Sequence, residues 1–304
     1  MIHAHSDATA ALAGVRIGDK WVGAGMPVFV IAEIGINHNG DIEIAKKLVD
    51  AAALGGCDAV KFQKRTVDVV YTAEELAKPR ESPFGKTNGD LKRGLEFGAA
   101  AYEELDRYCR SKHMMWYASC WDEASVDFIE RFQPPCYKIA SASLTDDALL
   151  RRHRRYGRPI ILSTGMSTLE EIDHAIDVLG TDDLIILHCT STYPSQVEEL
   201  NLAAIQTLRE RYGVPVGYSG HEVGLAPTLA AAATGACMVE RHMTLDRAMW
   251  GSDHAASVEP QGIWRLVKDI RAVEKARGTG VKCLWPSEVP VMQKLRRVRV
   301  PAAV

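Results

Sequence analysis

The sequence predicts an α/β protein, a (β/α)8 TIM barrel preceded by an N-terminal β-hairpin. Short apolar runs rich in β-branched residues alternate with amphipathic stretches of helical period. Eight such strand–helix units fit into roughly 250 residues, the usual size of this barrel. The competing fold, an open doubly wound sheet, is typically marked by a GxGxxG loop after its first strand. Residues 35–40 read Gly-Ile-Asn-His-Asn-Gly, so that spacing is missing.

Composition limits the class of protein. The chain has 304 residues, of which 47% are hydrophobic, enough for a barrel core. Its 36 basic and 39 acidic residues give a net charge of −3, which argues against nucleic acid as a partner. The uncharged stretch 223–239 is interrupted by Gly and Pro and is too short to cross a membrane. Seven cysteines without a CxxC pair and an N-terminus without an apolar signal region predict a cytoplasmic protein.

The elements are predicted in order along the chain. A hairpin over 15–23, turning at Gly18-Asp19, is expected to cover the bottom of the barrel. The eight strands are predicted at 28–35, 58–63, 114–119, 136–140, 159–164, 184–189, 214–219 and 237–242. Their near-continuous apolar character fits strands buried on both faces of a parallel sheet. The helices are predicted at 41–54, 100–111, 122–132, 146–155, 201–212, 225–234 and 261–277, with another behind a capping box of Ser167 and Glu170.

Two features lie outside the repeat. Residues 66–97 carry several Pro and Gly and predict a long loop after the second strand, in the position of a flap over the site. The tail is basic and polar and is expected to have little core. The predicted division is therefore an extension with hairpin at 1–27, a catalytic barrel at 28–285 and a tail at 286–304.

Polar side chains gather where the predicted strands end, which is where such barrels build their active sites. Lys61 and Lys138 fall within buried strands, and an uncompensated buried ammonium is costly. We interpret the two lysines as a site for an anion; the alternative is an internal salt bridge with Glu33. Strand-end serines alone would be ordinary caps. Beside two lysines they indicate phosphate binding, and they are Ser141, Ser163 and Ser219.

Two histidines end adjacent strands. A single strand-end histidine is often only a hydrogen-bonded structural group. His221 and His242, however, are placed to converge on one metal ion, and Asp253 follows as a further ligand or as a group that orients water.

These residues belong to a pattern that resembles the sialic acid synthase family, which condenses phosphoenolpyruvate with an N-acetylhexosamine. The resemblance covers residues 28 to about 285 in order, and the matching segments are 31–40 (IAEIGINHNG), 58–63 (DAVKFQ), 137–141 (YKIAS), 161–166 (ILSTGM), 188–190 (HCT) with Tyr193-Pro194, 217–221 (GYSGH), and 240–242 (ERH) through 251–254 (GSDH).

The resemblance implies a role for each matching residue. The residues implied to hold the carboxylate of phosphoenolpyruvate are Lys61, Ser119 and Lys138. Those implied to hold its phosphate are Ser141, Ser163 and Ser219. His221 and His242 would bind a divalent cation, Mn²⁺ by preference, with Mg²⁺ or Co²⁺ as alternatives. The residues implied to face the sugar or the reacting water are Glu33, Gln63, Tyr193 and Asp253, and Ser191 also lies near the substrates. Glu33, Lys61, Lys138 and Asp253 are the expected catalytic residues.

The predicted function is condensation of phosphoenolpyruvate with an aldose, N-acetylmannosamine or a related sugar, to give a nonulosonic acid and phosphate. The alternative is another synthase of this type, making a 3-deoxy-ulosonic acid such as KDN or a KDO-type product. A metal-dependent hydrolase would have His-x-His on strand one, which Ile36-Asn37-His38 lacks. A sugar-phosphate binding protein without catalysis stays open. By resemblance, a homo-oligomer is expected.

The sequence departs from the family pattern in three places. Ser143 stands where the family commonly has an acidic residue, and Ser191 stands where it commonly has Asn. The family usually adds an antifreeze-like domain after the barrel, which contributes a contact to the sugar; the expectation is that this chain does without that contact or that another sugar contact replaces it. Each departure concerns the acceptor sugar, so the identity of that sugar is left open.

Overall fold

The computed structural model describes residues 14–298, and its centre is a closed barrel of parallel strands. The strands in chain order are β1 (Val15–Ile17), β2 (Lys20–Val22), β3 (Phe29–Gly35), β4 (Ala59–Lys64), β5 (Pro79–Ser82), β6 (Gly85–Thr87), β7 (Met115–Cys120), β8 (Tyr137–Ile139), β9 (Ile160–Ser163), β10 (Leu184–Cys189), β11 (Val216–Gly220) and β12 (Met238–His242). The barrel runs β3-β4-β7-β8-β9-β10-β11-β12 and closes from β12 to β3. These are the eight strands that the sequence predicts, and the predicted (β/α)8 fold is confirmed.

Helices surround the barrel. They are α1 (Ile42–Gly55), α2 (Val67–Val70), α3 (Ala73–Ala77), α4 (Asn88–Leu95), α5 (Ala99–Ser111), α6 (Glu123–Glu130), α7 (Asp147–Arg154), α8 (Leu169–Leu179), α9 (Ala204–Tyr212), α10 (Ala226–Ala233), α11 (Pro260–Arg277) and α12 (Val289–Leu295). Four short 3₁₀ turns are described at Ser141–Ser143, Val197–Glu199, His254–Ala256 and Pro286–Glu288. Within residues 14–298, no helix combines the length and the apolar character that crossing a membrane requires.

The barrel interior has two layers because side chains alternate between the two faces of each strand. Outward residues such as Val60 and Phe62 of β4 pack under the helices. Inward residues of the lower half form a separate apolar cluster with the hairpin β1–β2, whose Val15, Ile17 and Val22 are buried against it. The hairpin therefore closes the bottom of the barrel, as the sequence predicts.

The segment 66–97 is more regular than the long loop that the sequence predicts, and this expectation is wrong. It forms α2, α3, the antiparallel hairpin β5–β6 and α4. At the tip of the hairpin, Phe84 packs edge-on against Trp250 of the loop after β12, with ring centroids 6.3 Å apart. Elements of three to eight residues are too short for their periodicity to stand out beside Pro and Gly.

The capping box of α8 is also one residue away from its predicted position. Thr168, not Ser167, accepts from the backbone N–H of Glu171, and the Glu171 carboxylate accepts from the backbone N–H of Thr168. Both pairs have the required spacing, so the local pattern alone does not separate them.

The division into 1–27, 28–285 and 286–304 stays a prediction. Residues 1–13 and 299–304, which belong to the predicted extension and tail, lie outside the described residues. In the described part of the tail, α12 buries none of its residues, in keeping with the small core expected there.

Candidate active site

A polar layer lies above the apolar lower half of the barrel, at the carboxyl ends of the strands. On β12, Met238, Glu240 and His242 share the inward face, while Val239 and Arg241 point outward. The Cα register places Glu240 beside Ser219 of β11, and His242 beside Glu33 of β3. Because two residues of strand advance by about 6.6 Å, His242 lies one layer closer to the mouth than Glu240.

The polar layer encloses a cavity of about 200 Å³. The cavity brings together twelve of the thirteen predicted site residues, and its lining includes Glu33, Lys61, Gln63, Ser119, Lys138, Ser141, Ser163, Ser191, Tyr193, Ser219, His221 and His242. The thirteenth, Asp253, lies in the loop after β12, with Oδ2 3.9 Å from Nδ1 of His242. The structure places the predicted residues together; their roles stay predictions.

The sequence-based prediction missed one lining residue that contacts both lysines. The Glu240 carboxylate lies 3.0 Å from the Lys61 ammonium and 4.0 Å from the Lys138 ammonium. Its second oxygen, Oε2, is buried and has no hydrogen-bond partner among the described residues. The signal was present, because alternation along a strand puts Glu240 on the same face as His242. Other lining residues that the prediction missed are Trp121, Ala140, Ala142, Met166 and Cys189.

Lys61 is the centre of the charge network. Besides Glu240, its ammonium lies 3.3 Å from Oε2 of Glu33, an ion pair without hydrogen-bond alignment, and donates to Ser119 Oγ at 3.2 Å. The internal salt bridge considered as an alternative from the sequence is therefore present. This salt bridge does not neutralise both lysines. Lys138 donates to Ser163 Oγ at 2.7 Å and to a backbone carbonyl, and its nearest carboxylate is 4.0 Å away.

The two carboxylates differ in their pKa values. Burial raises the pKa of Glu33 to about 7, and the attraction of Lys61 offsets only part of this shift. Burial also acts to raise the pKa of Glu240, but Lys138 and Lys61 outweigh it and hold that pKa at about 2. Burial lowers the pKa of Lys138 to about 8. Near neutral pH, Glu240 is therefore ionised, whereas Glu33 can gain and lose a proton.

The Glu33 shift predicts a pH dependence of stability. A carboxyl group whose folded-state pKa of about 7 exceeds its ordinary value of 4.5 stabilises the fold below the lower value, and this contribution is lost as pH rises through the higher one. Relative to Glu33→Gln, the wild type should therefore lose about 1–3 kcal/mol of unfolding free energy between pH 4.5 and 8. Urea denaturation of metal-free protein measures this difference. The control is Glu103→Gln on the exposed side of α5, and parallel pH curves for wild type and Glu33→Gln would contradict the assigned shift.

Two imidazoles face each other above the lysines. The ring centroids of His221 and His242 are 5.3 Å apart, and the ring of Tyr193 packs against His221 at 4.2 Å. Nδ1 of His221 lies 2.9 Å from the backbone carbonyl of Thr190, which requires a proton on that nitrogen and leaves Nε2 with a free lone pair. Nδ1 of His242 is buried without a hydrogen-bond partner in the described part of the chain.

This arrangement fits a divalent cation on two protein ligands. Burial lowers the pKa of His242, which favours the neutral ring that binds metals. Within residues 14–298, no group of three or more His, Cys, Asp or Glu side chains is arranged to hold an ion. An ion on two imidazoles would therefore keep open positions for substrate oxygen atoms.

Three serine hydroxyls around the lysines are set to donate to a ligand. Ser119 and Ser163 each accept a hydrogen bond from a lysine, and Ser141 accepts one from the backbone N–H of Gly165 at 3.0 Å. A hydroxyl that already accepts in this way keeps its own hydrogen free to donate. Gly165 allows this approach, because a Cβ there would lie 3.0 Å from Ser141 Oγ and 2.1 Å from Ser191 Oγ.

Two further serines, Ser219 and Ser143, are placed differently from these three. Ser219 Oγ donates to Glu240 at 3.3 Å, so it must turn to reach an anion. Ser143 is buried in the 3₁₀ turn after β8 and is not part of the cavity lining.

Comparison with known proteins gives consistent matches. The sequence matches the NeuB family model over residues 48–282. It is 38% identical to the N-acetylneuraminate-9-phosphate synthase of Mus musculus, covering 93% of this chain and 82% of the mouse protein. It is also 38% identical to the N,N'-diacetyllegionaminic acid synthase of Legionella pneumophila, over 92% and 82% of the two chains.

A solved structure is similar over nearly the whole chain. The N-acetylneuraminic acid (sialic acid) synthetase of Leptospira borgpetersenii, crystallised with citrate, superposes with a TM-score of 0.82 at 30% identity. The match covers 94% of this chain and 98% of the other.

Proposed function

Since the chain belongs to the NeuB family, we propose that it is a transferase that joins phosphoenolpyruvate to an aldose, forming a carbon–carbon bond and releasing phosphate. The resemblance to the sialic acid synthase family is thereby confirmed. The product is a nonulosonic acid, the class of compound named in the relatives that carry a synthase name. The acceptor is N-acetylmannosamine or a related hexosamine, free or phosphorylated.

The stacking of two sites in one cavity is the observation that supports this proposal. Two ammonium groups and three hydroxyl donors lie deep in the barrel, and two imidazoles lie one layer above them. A compact anion such as phosphoenolpyruvate fits the deeper site, because both its carboxylate and its phosphate take charge-assisted hydrogen bonds. An aldehyde held above it would face the enol carbon, and holding the two reactants together in this way is itself catalytic.

The residues of the chain hold the first substrate as follows. Lys61, Lys138 and Ser119 bind its carboxylate, and Ser141, Ser163 and Ser219 bind its phosphate. The fixed negative charge of Glu240 lies between the lysines, where it stabilises the positive charge that develops at C2 when the enol attacks. Ser191, Tyr193 and Gln63, at the rim, contact the sugar.

His221 and His242 would hold a divalent cation, which we propose to be Mn²⁺, with Mg²⁺ or Co²⁺ as alternatives. When bound, this ion polarises the aldehyde carbonyl as a Lewis acid. The carboxylate of Asp253, 3.9 Å from Nδ1 of His242, is too far for a direct hydrogen bond but close enough to orient a water molecule beside the ring.

Glu33 transfers the proton that is released when water adds to C2. After the new bond forms between C3 of phosphoenolpyruvate and C1 of the aldehyde, water adds to C2 and must lose a proton. A carboxylate with a pKa of about 7 is suited to take that proton and return it to the new alkoxide. The tetrahedral intermediate then collapses with cleavage of the bond between C2 and the phosphate oxygen.

Phosphate release from phosphoenolpyruvate tests the proposal. Purified protein is assayed with Mn²⁺ and a panel of acceptors: N-acetylmannosamine, mannose, their 6-phosphates, diacetamido hexoses, and a phosphorylated pentose for the KDO-type alternative. We expect one hexose-derived acceptor to support stoichiometric phosphate release, with a product whose mass equals both substrates plus water minus phosphate. If no acceptor in the panel supports release, the proposal is wrong.

Removal of the Lys138 ammonium should selectively weaken the binding of phosphoenolpyruvate. Lys138→Ala takes away one charge-assisted contact, worth about 1.5–3 kcal/mol, so the KM for phosphoenolpyruvate should rise roughly 10–100-fold. The KM for the aldose should change much less, because Lys138 lies in the deeper layer. Initial rates with each substrate varied in turn measure the two values. An equal rise in both would contradict the assignment of Lys138 to the anion site.

We further propose that the enzyme works in the cytoplasm. All seven cysteines lie in the described part of the chain and are free thiols, six of them buried, as expected in a reducing compartment. The homo-oligomer stays a prediction, which sedimentation velocity would test.

A further inference from the structure

The residues next to the two imidazoles in the sequence form a buried ion pair. Glu222 follows His221, and Arg241 precedes His242. Strand alternation turns Arg241 away from the cavity, toward the layer between barrel and helices, and Glu222, two residues beyond the end of β11, lies beside it in the same layer. There Glu222 is completely buried and Arg241 is 2% exposed. The other outward residues of these strands, Val216, Tyr218 and Val239, belong to the apolar core, so this pair is a polar insertion into it.

Hydrogen bonds surround the pair. Arg241 Nη1 donates to Glu222 Oε1 at 3.0 Å and to Thr228 Oγ1 at 2.8 Å. Glu222 also accepts from Thr228 at 2.6 Å and, through its other oxygen, from the Tyr218 hydroxyl at 2.9 Å. Both carboxylate oxygens are therefore used inside the protein, and we call this set of side chains the Glu222–Arg241 bridge.

The bridge also holds main-chain atoms. Arg241 Nη2 donates to the backbone carbonyl of Glu222 at 2.6 Å, and Nη1 donates to that of Gly224 at 2.8 Å. β11 ends at Gly220, so His221 lies beyond the last strand residue. The guanidinium thus ties the backbone that follows His221 to the strand that carries His242.

We propose that the Glu222–Arg241 bridge is a positioning device that fixes the separation of the two metal-binding imidazoles. This inference rests on the proposed function, since it assumes that His221 and His242 bind the cation. The backbone of His221 is held from its other side as well, because its carbonyl accepts from the N–H of Ser195 at 3.0 Å. Supporting groups that hold metal ligands typically change metal affinity about 10–100-fold when they are lost.

Stability alone does not account for the bridge. A buried ion pair contributes little compared with apolar side chains of the same volume, whereas breaking it from one side is costly. Another ion pair of the protein, Glu130 with Arg158, serves to separate the two effects. Glu130 accepts from Arg158 at 2.5 and 2.7 Å and from the Tyr137 hydroxyl at 2.5 Å, but no residue of this set lines the cavity.

Direct Mn²⁺ binding tests the inference, with free Mn²⁺ measured by electron paramagnetic resonance in titrations of the full metal-free chain. We expect Glu222→Gln and Arg241→Gln to weaken Mn²⁺ binding about tenfold or more. The double variant should bind no more weakly than Arg241→Gln alone, because the two residues act together. Glu130→Gln breaks a less buried ion pair, so it should lower the melting temperature by a smaller amount and change the Kd less than twofold.

Two outcomes would overturn the inference. One is an unchanged Kd in a folded Arg241→Gln protein, and the other is an equal loss of affinity in Glu130→Gln. If Arg241→Gln does not fold, Glu222→Met/Arg241→Met replaces the pair by apolar side chains, and wild-type affinity in that protein overturns the inference in the same way. Failure of the proposed metal site has a separate signature: His242→Ala would then bind Mn²⁺ as tightly as the wild type.

Discussion

His242→Ala is expected to lower turnover by about a thousandfold or more and to abolish stoichiometric Mn²⁺ binding. The effect is large because the proposed site holds its ion on two imidazoles, and the alanine variant leaves only one of them. Lewis-acid stabilisation of a developing oxyanion is worth several kcal/mol, and each 1.36 kcal/mol is a factor of ten in rate. His221→Ala should have the same effect.

Steady-state turnover and Mn²⁺ titration of the same samples measure this prediction. His188→Gln is the matched control: it lies on β10, which pairs with β11, it faces away from the barrel interior, and it bonds the carbonyl of Leu200 at 2.7 Å. The control should keep both turnover and Mn²⁺ affinity. Full activity in His242→Ala would remove the metal from the proposed chemistry.

Lys61→Met is expected to lower both stability and catalysis. The substitution leaves Glu33 and Glu240 buried without their nearest cation. Removing one partner of a buried ion pair costs about 3–5 kcal/mol, so the unfolding free energy should fall by about that amount at pH 7.5. The loss should shrink as pH is lowered and Glu33 takes up a proton. In the proposed site the first substrate also loses a charged donor, so its kcat/KM should fall by about 10²–10³.

Urea denaturation at several pH values and initial rates with phosphoenolpyruvate measure the two effects. Lys64→Met controls for the loss of a partly buried lysine on the same strand. Its ammonium pairs with Glu96 at 3.2 Å, and it does not line the cavity. An unfolding free energy that is the same in Lys61→Met as in the wild type would contradict the central position given to Lys61.

The sequence predicted the barrel and most of its site because both follow from local patterns. Inward lysines in apolar strands stand out, since few charged residues are tolerated there without a purpose. Glu240 was not predicted because a carboxylate within an apolar strand has no meaning of its own until the lysines of other strands are placed beside it. Local patterns could not predict that Lys61 pairs with two carboxylates. Glu33 and Glu240 come from opposite ends of the barrel sequence and meet only when β12 pairs with β3.

The regular structure within 66–97 and the Glu222–Arg241 bridge could not be predicted for a related reason. A four-residue helix such as α2 has hardly more than one turn from which to read a period. A charged residue after a strand-end histidine looks like a solvated loop residue until its partner, 19 positions away, is placed beside it. Both features depend on tertiary contacts that local spacing does not encode.

The apolar lower half of the barrel, covered by the β1–β2 hairpin, closes the cavity from below, so that ligands reach it from the carboxyl ends of the strands. Whatever binds among the lysines must pass the imidazoles first, and a sugar seated at the imidazoles would block the way down. The two substrates should therefore bind in a compulsory order, the small acid before the sugar, and the long nine-carbon product must leave before another molecule of the acid can enter.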